Sequence, residues 1–219
     1  MTTLAIMKAR IAAELRRPNI SSQIADAINT AIDAYKGERL WFAEQYHVDI
    51  QLTSGQEFYT ATDDAWIGRI SRLDYAHLVL TGQSYPLRRM PDEWLDIASP
   101  PANSGGQPYW YGWYARTLRV FPIPSSDGMT LRLAGQFEMT APADDNETGN
   151  PWMVEAETLI RCRAKYELYQ HVLLDLAKAA MFDPDRRNPS PSPTLAALNV
   201  LRRKTSAKTT TGRVSGWTV

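Results

Sequence analysis

The apolar positions of the first 47 residues recur with a helical period. The first stripe consists of Leu4, Met7, Ile11 and Leu15, and the second of Ile24, Ile28, Ile32 and Tyr35. Pro18 lies between the two stripes and ends the first helix, because proline has no amide donor and restricts the residue before it. Ser21 or Ser22 can cap the second helix with its side-chain oxygen. The spacing therefore predicts two amphipathic helices in this region.

From Val48 to about Met139 the pattern changes to alternation, which is typical of strands. Val48, Ile50 and Leu52 alternate with polar residues, and a turn leads to a second strand that starts at Phe58. Residues 67–80 read as a further strand, and Pro91 starts a short helix that reaches about Ile97. A three-strand meander is predicted over residues 109–114, 117–121 and 129–137.

Helical spacing returns at Asn150, where a capping side chain precedes a proline at the first helical position. One long helix is predicted from there to Phe182, with Cys162 on its apolar side. Prolines make residues 184–193 extended and semi-rigid. A last helix over residues 194–204, with Thr194 as its cap, carries leucines every three residues. Residues 205–219 are poor in apolar side chains, so we expect them to be flexible.

This order of elements predicts an α+β fold in which helices from both termini form a bundle around a β-rich insertion. The expected helical domain is discontinuous, over residues 1–47 and 150–204. The insertion covers residues 48–149, and a flexible basic tail follows over residues 205–219.

The charge of the chain is balanced overall but segregated along its length. Lys and Arg number 24, and Asp and Glu also number 24. From Pro184 onward, however, Asp185 is the single acid beside seven bases, which are Arg186, Arg187, Arg202, Arg203, Lys204, Lys208 and Arg213. A basic end on a mildly acidic body is suited to an acidic partner, although such runs are often only solvated.

Few residues point to metal, membrane or enzyme chemistry. The one cysteine and three widely spaced histidines leave no zinc-type spacing, and no window has the roughly 18 apolar residues of a membrane span. The N-terminus has no secretory pattern, so synthesis in a cytoplasm is expected. Cys162 reads as a buried core residue rather than a nucleophile. His171 and Asp175 could form a relay on one helix, but an exposed polar pair is the commoner meaning. We expect no enzyme activity and no cofactor.

The aromatic run Tyr109–Tyr114 contains five large rings that cannot all face one core. Some of them should be exposed, and Trp110, Trp113 and Tyr114 are the candidates for an interface. Tyr and Trp are enriched where proteins bind each other, and they also stack on sugars. Wide side chains that cover a thin β core are the alternative interpretation.

The order of these features resembles the head-to-tail adaptor, or connector, proteins of tailed bacteriophages, including the tail tubular protein A type. The resemblance covers about residues 20–204. It rests on the helix Ile24–Tyr35 followed by Arg39–Glu44, on Leu52-Thr-Ser-Gly-Gln-Glu-Phe-Tyr59, on Gly106–Tyr111 with Leu118–Pro124, and on Asn150-Pro-Trp152. The family's Leu-Pro-x-Asp after the turn stands here as Thr60-Ala-Thr-Asp63.

The resemblance implies a structural virion protein at the head–tail interface. Such proteins form a ring, commonly of twelve copies, that joins the portal protein to tail or nozzle proteins around the DNA channel. DNA would pass through without specific binding, and no membrane is involved. The docking residues toward the portal would be Arg202, Arg203, Lys204, Lys208, Arg213 and Trp217. A glycan-binding or tail-fibre-associated module that uses the aromatic run is the alternative, and a hydrolase comes third.

Overall fold

The structure, a computed structural model, describes residues 2–98, 105–187 and 190–210. The helices are α1 (Leu4–Leu15), α2 (Ser21–Tyr35), α3 (Ala65–Arg69), α4 (Asp92–Ala98), α5 (Pro151–Val154), α6 (Glu157–Glu167), α7 (Leu176–Phe182) and α8 (Pro193–Thr210), with a 3-10 turn at Trp41–Ala43 and a π-helical turn at Leu168–Val172. The strands are β1 (Glu44–Leu52), β2 (Phe58–Tyr59), β3 (Ile70–Leu80), β4 (Gln83–Pro86), β5 (Arg88–Arg89), β6 (Gly105–Gly106), β7 (Trp110–Tyr114), β8 (Thr117–Phe121), β9 (Ile123–Pro124) and β10 (Met129–Phe137).

The chain is mixed α+β and divides into two compact units. The helical unit contains Met1–Phe42 and Met139–Val219, and the β unit contains Ala43–Glu138. Within the described ranges, no helix is both long enough and apolar enough to cross a membrane.

In the helical unit, α2 packs on α6, and α6 also contacts α1, α7 and α8. The predicted stripe of α2 is its buried face, since Ile24, Ile28 and Ile32 are all buried. Trp152 of α5 is buried, and its indole nitrogen donates to the Met139 carbonyl at 3.1 Å. The capping role predicted for Asn150 is confirmed, because its side-chain oxygen accepts the Trp152 amide proton.

The single long helix predicted up to Phe182 is wrong. It is divided into α5, α6, the π-helical turn and α7. The Leu173 amide donates to Leu168 O at 2.8 Å, a wider turn than that of an α-helix. Leu174 then adopts a left-handed conformation with φ of 53°, which ends the helix. Asp175 starts α7 anew by accepting the Lys178 amide proton.

Helix boundaries differ from the predictions at three other places. The capping role predicted for Ser21 or Ser22 is wrong, because α2 begins after Ile20 with no side-chain cap. The helix α1, by contrast, is capped by the side chain of Thr3. The cap of α8 is Ser192, which accepts the Leu195 amide proton, rather than Thr194. Residues 205–210, expected to be flexible, continue α8 to Thr210.

The β unit contains two four-stranded sheets, in the orders β1-β10-β3-β4 and β2-β8-β7-β5, and the two-stranded pair β6-β9. One apolar core includes side chains from both four-stranded sheets, among them Ile50, Leu131 and Val120. The strand predicted to begin at Val48 begins at Glu44, and residues 65–69 form α3 before β3.

The predicted meander is only partly present. The strands β7 and β8 form an antiparallel hairpin, but β10 lies between β1 and β3 in the other sheet. Gly135 permits the close approach of β10 to β3, because a Cβ at this position would lie 2.1 Å from the Arg72 carbonyl oxygen.

Candidate functional site

The basic residues predicted to dock on a partner begin on α8, which is fixed to the helical unit along part of its length. Leu198 and Leu201 are buried. Thr205 is also buried; its hydroxyl donates to Leu201 O at 2.9 Å and accepts the Trp41 amide proton at 3.0 Å. These bonds explain why the helix continues beyond Lys204, its predicted last residue. The low apolar content of residues 205–219, from which a flexible tail was predicted, gave no indication of them.

The six predicted docking residues differ in their contacts and in whether the structure describes their side chains. Arg202 forms a two-bond ion pair with Glu38, with its Nη2 2.7 Å from Oε1 and its Nε 3.2 Å from Oε2. Arg203 and Lys204 are exposed on α8. Lys208 belongs to α8, but its side chain lies outside the described part of the chain, as do Arg213 and Trp217.

The aromatic run lies on and next to β7, and the structure separates its members. Tyr111 is buried, its hydroxyl donates to Asp74 O at 3.4 Å, and burial raises its pKa. Trp110 stacks on Phe121 with ring centroids 5.8 Å apart. Of the interface candidates, Trp113 is partly buried against the core of the β unit, whereas Tyr114 is 74% exposed. The run therefore contributes both to the core and to the surface.

An open cleft of about 660 Å³ lies beside Tyr114 in the β unit. We call it the aromatic cleft. Its lining is formed by Arg89, Met90, Pro91, Asp92, Glu93, Asp96, Trp113 and Tyr114. Gly112 lets α4 come close to β7, since a Cβ there would lie 2.3 Å from a carboxylate oxygen of Asp92. Three acidic and two aromatic residues thus line one concave surface.

Arg119 of β8 binds two lining residues of this cleft, Asp92 and Asp96 of α4. It is buried, with its Nε 2.6 Å from Glu57 Oε1 and its Nη1 2.5 Å from Asp96 Oδ1, and Nη1 also donates to Asp92 O at 3.2 Å. Burial disfavours the charged guanidinium, but the hydrogen bonds to Glu57 and Asp96 outweigh it and raise the pKa of Arg119. The sequence analysis missed this network; an arginine in a strand of apolar residues was the available signal.

The residues considered for catalysis have structural roles. Cys162 is buried, and burial raises the pKa of its thiol. The considered relay is not formed, because His171 lies 3.4 Å from Glu167 while Asp175 caps α7. Over the described residues, no group of three or more acidic, histidine or cysteine side chains is placed to hold a metal ion.

Comparison with known proteins gives one family. The model of the family described as SU10 adaptor protein matches residues 2–214. No curated protein matches the chain.

Proposed function

The chain belongs to the SU10 adaptor protein family, a family of phage adaptors, and from this membership we propose that it is a structural head-to-tail adaptor of the virion. In this proposal copies of the chain form a ring that joins the portal to the tail around the DNA channel. The match over residues 2–214 is the observation that supports the proposal most strongly, since it covers the whole β unit and nearly all of the helical unit.

The finer assignment is to adaptors of the tail tubular protein A type, with twelve copies in the ring. A ring requires two different lateral faces on each copy, which meet head to tail and close by rotation. DNA passes through the bore without specific contacts, in keeping with the equal numbers of acidic and basic residues.

We also propose that the helices of both termini form one bundle and that the β-rich region is an insertion into it. The contacts of α6 with α1, α2 and α8 support this arrangement.

The portal-docking segment is the basic C-terminal end of the chain. Arg202 is engaged by Glu38 and so holds α8 on the helical unit, which leaves Arg203 and Lys204 exposed for docking. The remaining docking residues are Lys208, Arg213 and Trp217, which supply charge-assisted contacts and one aromatic anchor.

Deletion of residues 211–219 tests the docking segment, because it leaves α8 and the Thr205 contacts in place. The melting temperature should stay within about 2 °C of the full chain. Portal binding should weaken and depend less on salt.

A paired charge reversal, Arg203→Glu with Lys204→Glu, should weaken portal binding in the same way. Arg88→Glu, which reverses an exposed arginine of β5, is the matched control. Binding of random duplex DNA that vanishes with the deletion would indicate nonspecific adhesion instead. Portal affinity that is unchanged both after the deletion and after the paired charge reversal would show that the segment is not the docking element.

A glycan-binding module is the second candidate, favoured by the exposed Tyr114 beside the carboxylates of the aromatic cleft. Sugar-dependent quenching of tryptophan fluorescence, lost in Tyr114→Ala, would support it over the adaptor.

A further inference from the structure

The segment around α7 exposes an unusual amount of apolar surface. We define the apolar patch as Val172, Leu174, Leu176 and Met181; Leu174 is 74% exposed and Leu176 is 68% exposed. In α7 itself Ala179 is the buried residue, so most of this short apolar helix faces solvent. An exposed patch of this kind usually marks a binding surface.

Leu174 adopts a strained backbone conformation within the patch. A left-handed φ of 53° is unfavourable for leucine, and the side chain gains no burial in return. The next residue, Asp175, donates its amide proton to Tyr169 O at 2.9 Å, and this hydrogen bond fixes the turn. Strained residues that the surrounding structure over-determines are concentrated at functional sites.

Cations surround the apolar patch. Arg17 lies close enough to Lys178 to oppose its charge, and Arg186 donates to the Ala180 carbonyl at the end of α7. Lys178 is paired with Asp175 at 2.9 Å. Asp175 and Lys178 thus neutralise each other, and among the other charged residues around α7 the cations Arg17, Arg186 and Arg187 outnumber the acids Asp183 and Asp185.

The aromatic cleft has the complementary character. It offers Trp113 and Tyr114 as aromatic walls. Asp96 is already paired with Arg119, and the two remaining acids, Asp92 and Glu93, outnumber the lining cation Arg89. Each of the two surfaces is formed within one compact unit, so their pairing between copies uses no contact between the units of one chain.

We propose that the apolar patch of one copy docks in the aromatic cleft of the neighbouring copy, and this inference rests on the ring proposed above. Two different surfaces with opposite charge on one chain are what a head-to-tail contact requires. Pairing of the apolar patch with itself would bring the excess positive charge around Arg17 of one copy against that of the other. Leucine and methionine fill the cleft between the rings, while Lys178 and Arg17 face its carboxylates.

Cross-linking of cysteine variants tests the pairing. In a Cys162→Ala background, Leu174→Cys and Tyr114→Cys chains of different mass are mixed with the portal of the same phage and treated with a short bismaleimide. The expected product joins the two different chains at least ten times more than it joins two Leu174→Cys chains. Val200→Cys, which replaces an exposed apolar residue of α8, is the matched control and should not cross-link to Tyr114→Cys.

Charge reversal supplies a second readout on the same surfaces. Lys178→Glu and Glu93→Lys should each weaken association between copies about tenfold, and the two variants mixed should associate better than either alone. An oligomer that forms while the Leu174→Cys and Tyr114→Cys chains do not cross-link, and while mixing the two charge variants does not restore association, would overturn the inference. The proposed ring would then still stand. Wild-type chain that stays monomeric even with the portal would overturn the ring and the inference together.

Discussion

Replacement of Arg119 by methionine removes the charge below the aromatic cleft and retains most of the apolar stem. The guanidinium is buried and donates hydrogen bonds to the Glu57 and Asp96 carboxylates and to the Asp92 carbonyl. After the change, the Glu57 carboxylate, with 17% of its side chain exposed, loses its counter-charge. Asp96, with 72% exposed, regains water instead.

The size of the effect follows from these exposures. Removal of one partner from a buried ion pair destabilises a protein by about 3–5 kcal/mol. Because Asp96 is hydrated and only Glu57 is left largely desolvated, we expect the low end of this range, about 3 kcal/mol of unfolding free energy.

Arg132→Met provides the matched control in a denaturant titration of both variants. Arg132 also donates two hydrogen bonds to carboxylate oxygens, here both of Asp49 and each at 2.7 Å, but the two side chains are 30% and 37% exposed. Such a pair contributes at most about 1 kcal/mol. Glu57→Gln should likewise lower the unfolding free energy more than Asp96→Asn does.

Equal losses of unfolding free energy in Arg119→Met and Arg132→Met would refute this reasoning. Burial would then not be what distinguishes the two arginines.

Three further predictions concern other parts of the chain. Cys162→Ala should lower stability by about 1 kcal/mol and leave portal binding intact, and rapid alkylation of the native thiol would contradict its structural role. Hydrogen bonds from the Thr60 amide, Gln56 and the Thr60 hydroxyl lower the pKa of Asp63 below its ordinary 3.8. The ionised carboxylate therefore stabilises the fold above pH 3.8, and this stabilisation is lost as the pH falls below that value. An acid titration of Asp63→Asn should lack this loss. Replacement of residues 43–138 by a Gly/Ser linker should retain a helical circular dichroism spectrum, and loss of most helix would disprove the insertion.

Local pattern predicted those elements whose neighbours along the chain decide their structure. The four-residue spacing of Ile24, Ile28 and Ile32 gave α2 and its buried face. The Asn150 cap was predicted for the same reason, because its hydrogen-bond partner is two residues away.

The misses depend on information that spacing does not carry. Apolar residues keep a helical period across the break at Leu174, so only the cap at Asp175 signalled it. The insertion of β10 between β1 and β3 is a long-range choice that alternation cannot show. Likewise, the Arg119 network joins side chains 62 and 23 residues apart in sequence.

The mass of a complex with the portal protein of the same phage, measured by native mass spectrometry, tests the adaptor proposal most directly. The proposal predicts that the portal ring gains twelve chains of 24.7 kDa, about 300 kDa in total. A portal ring whose mass is unchanged in the presence of excess chain would contradict it.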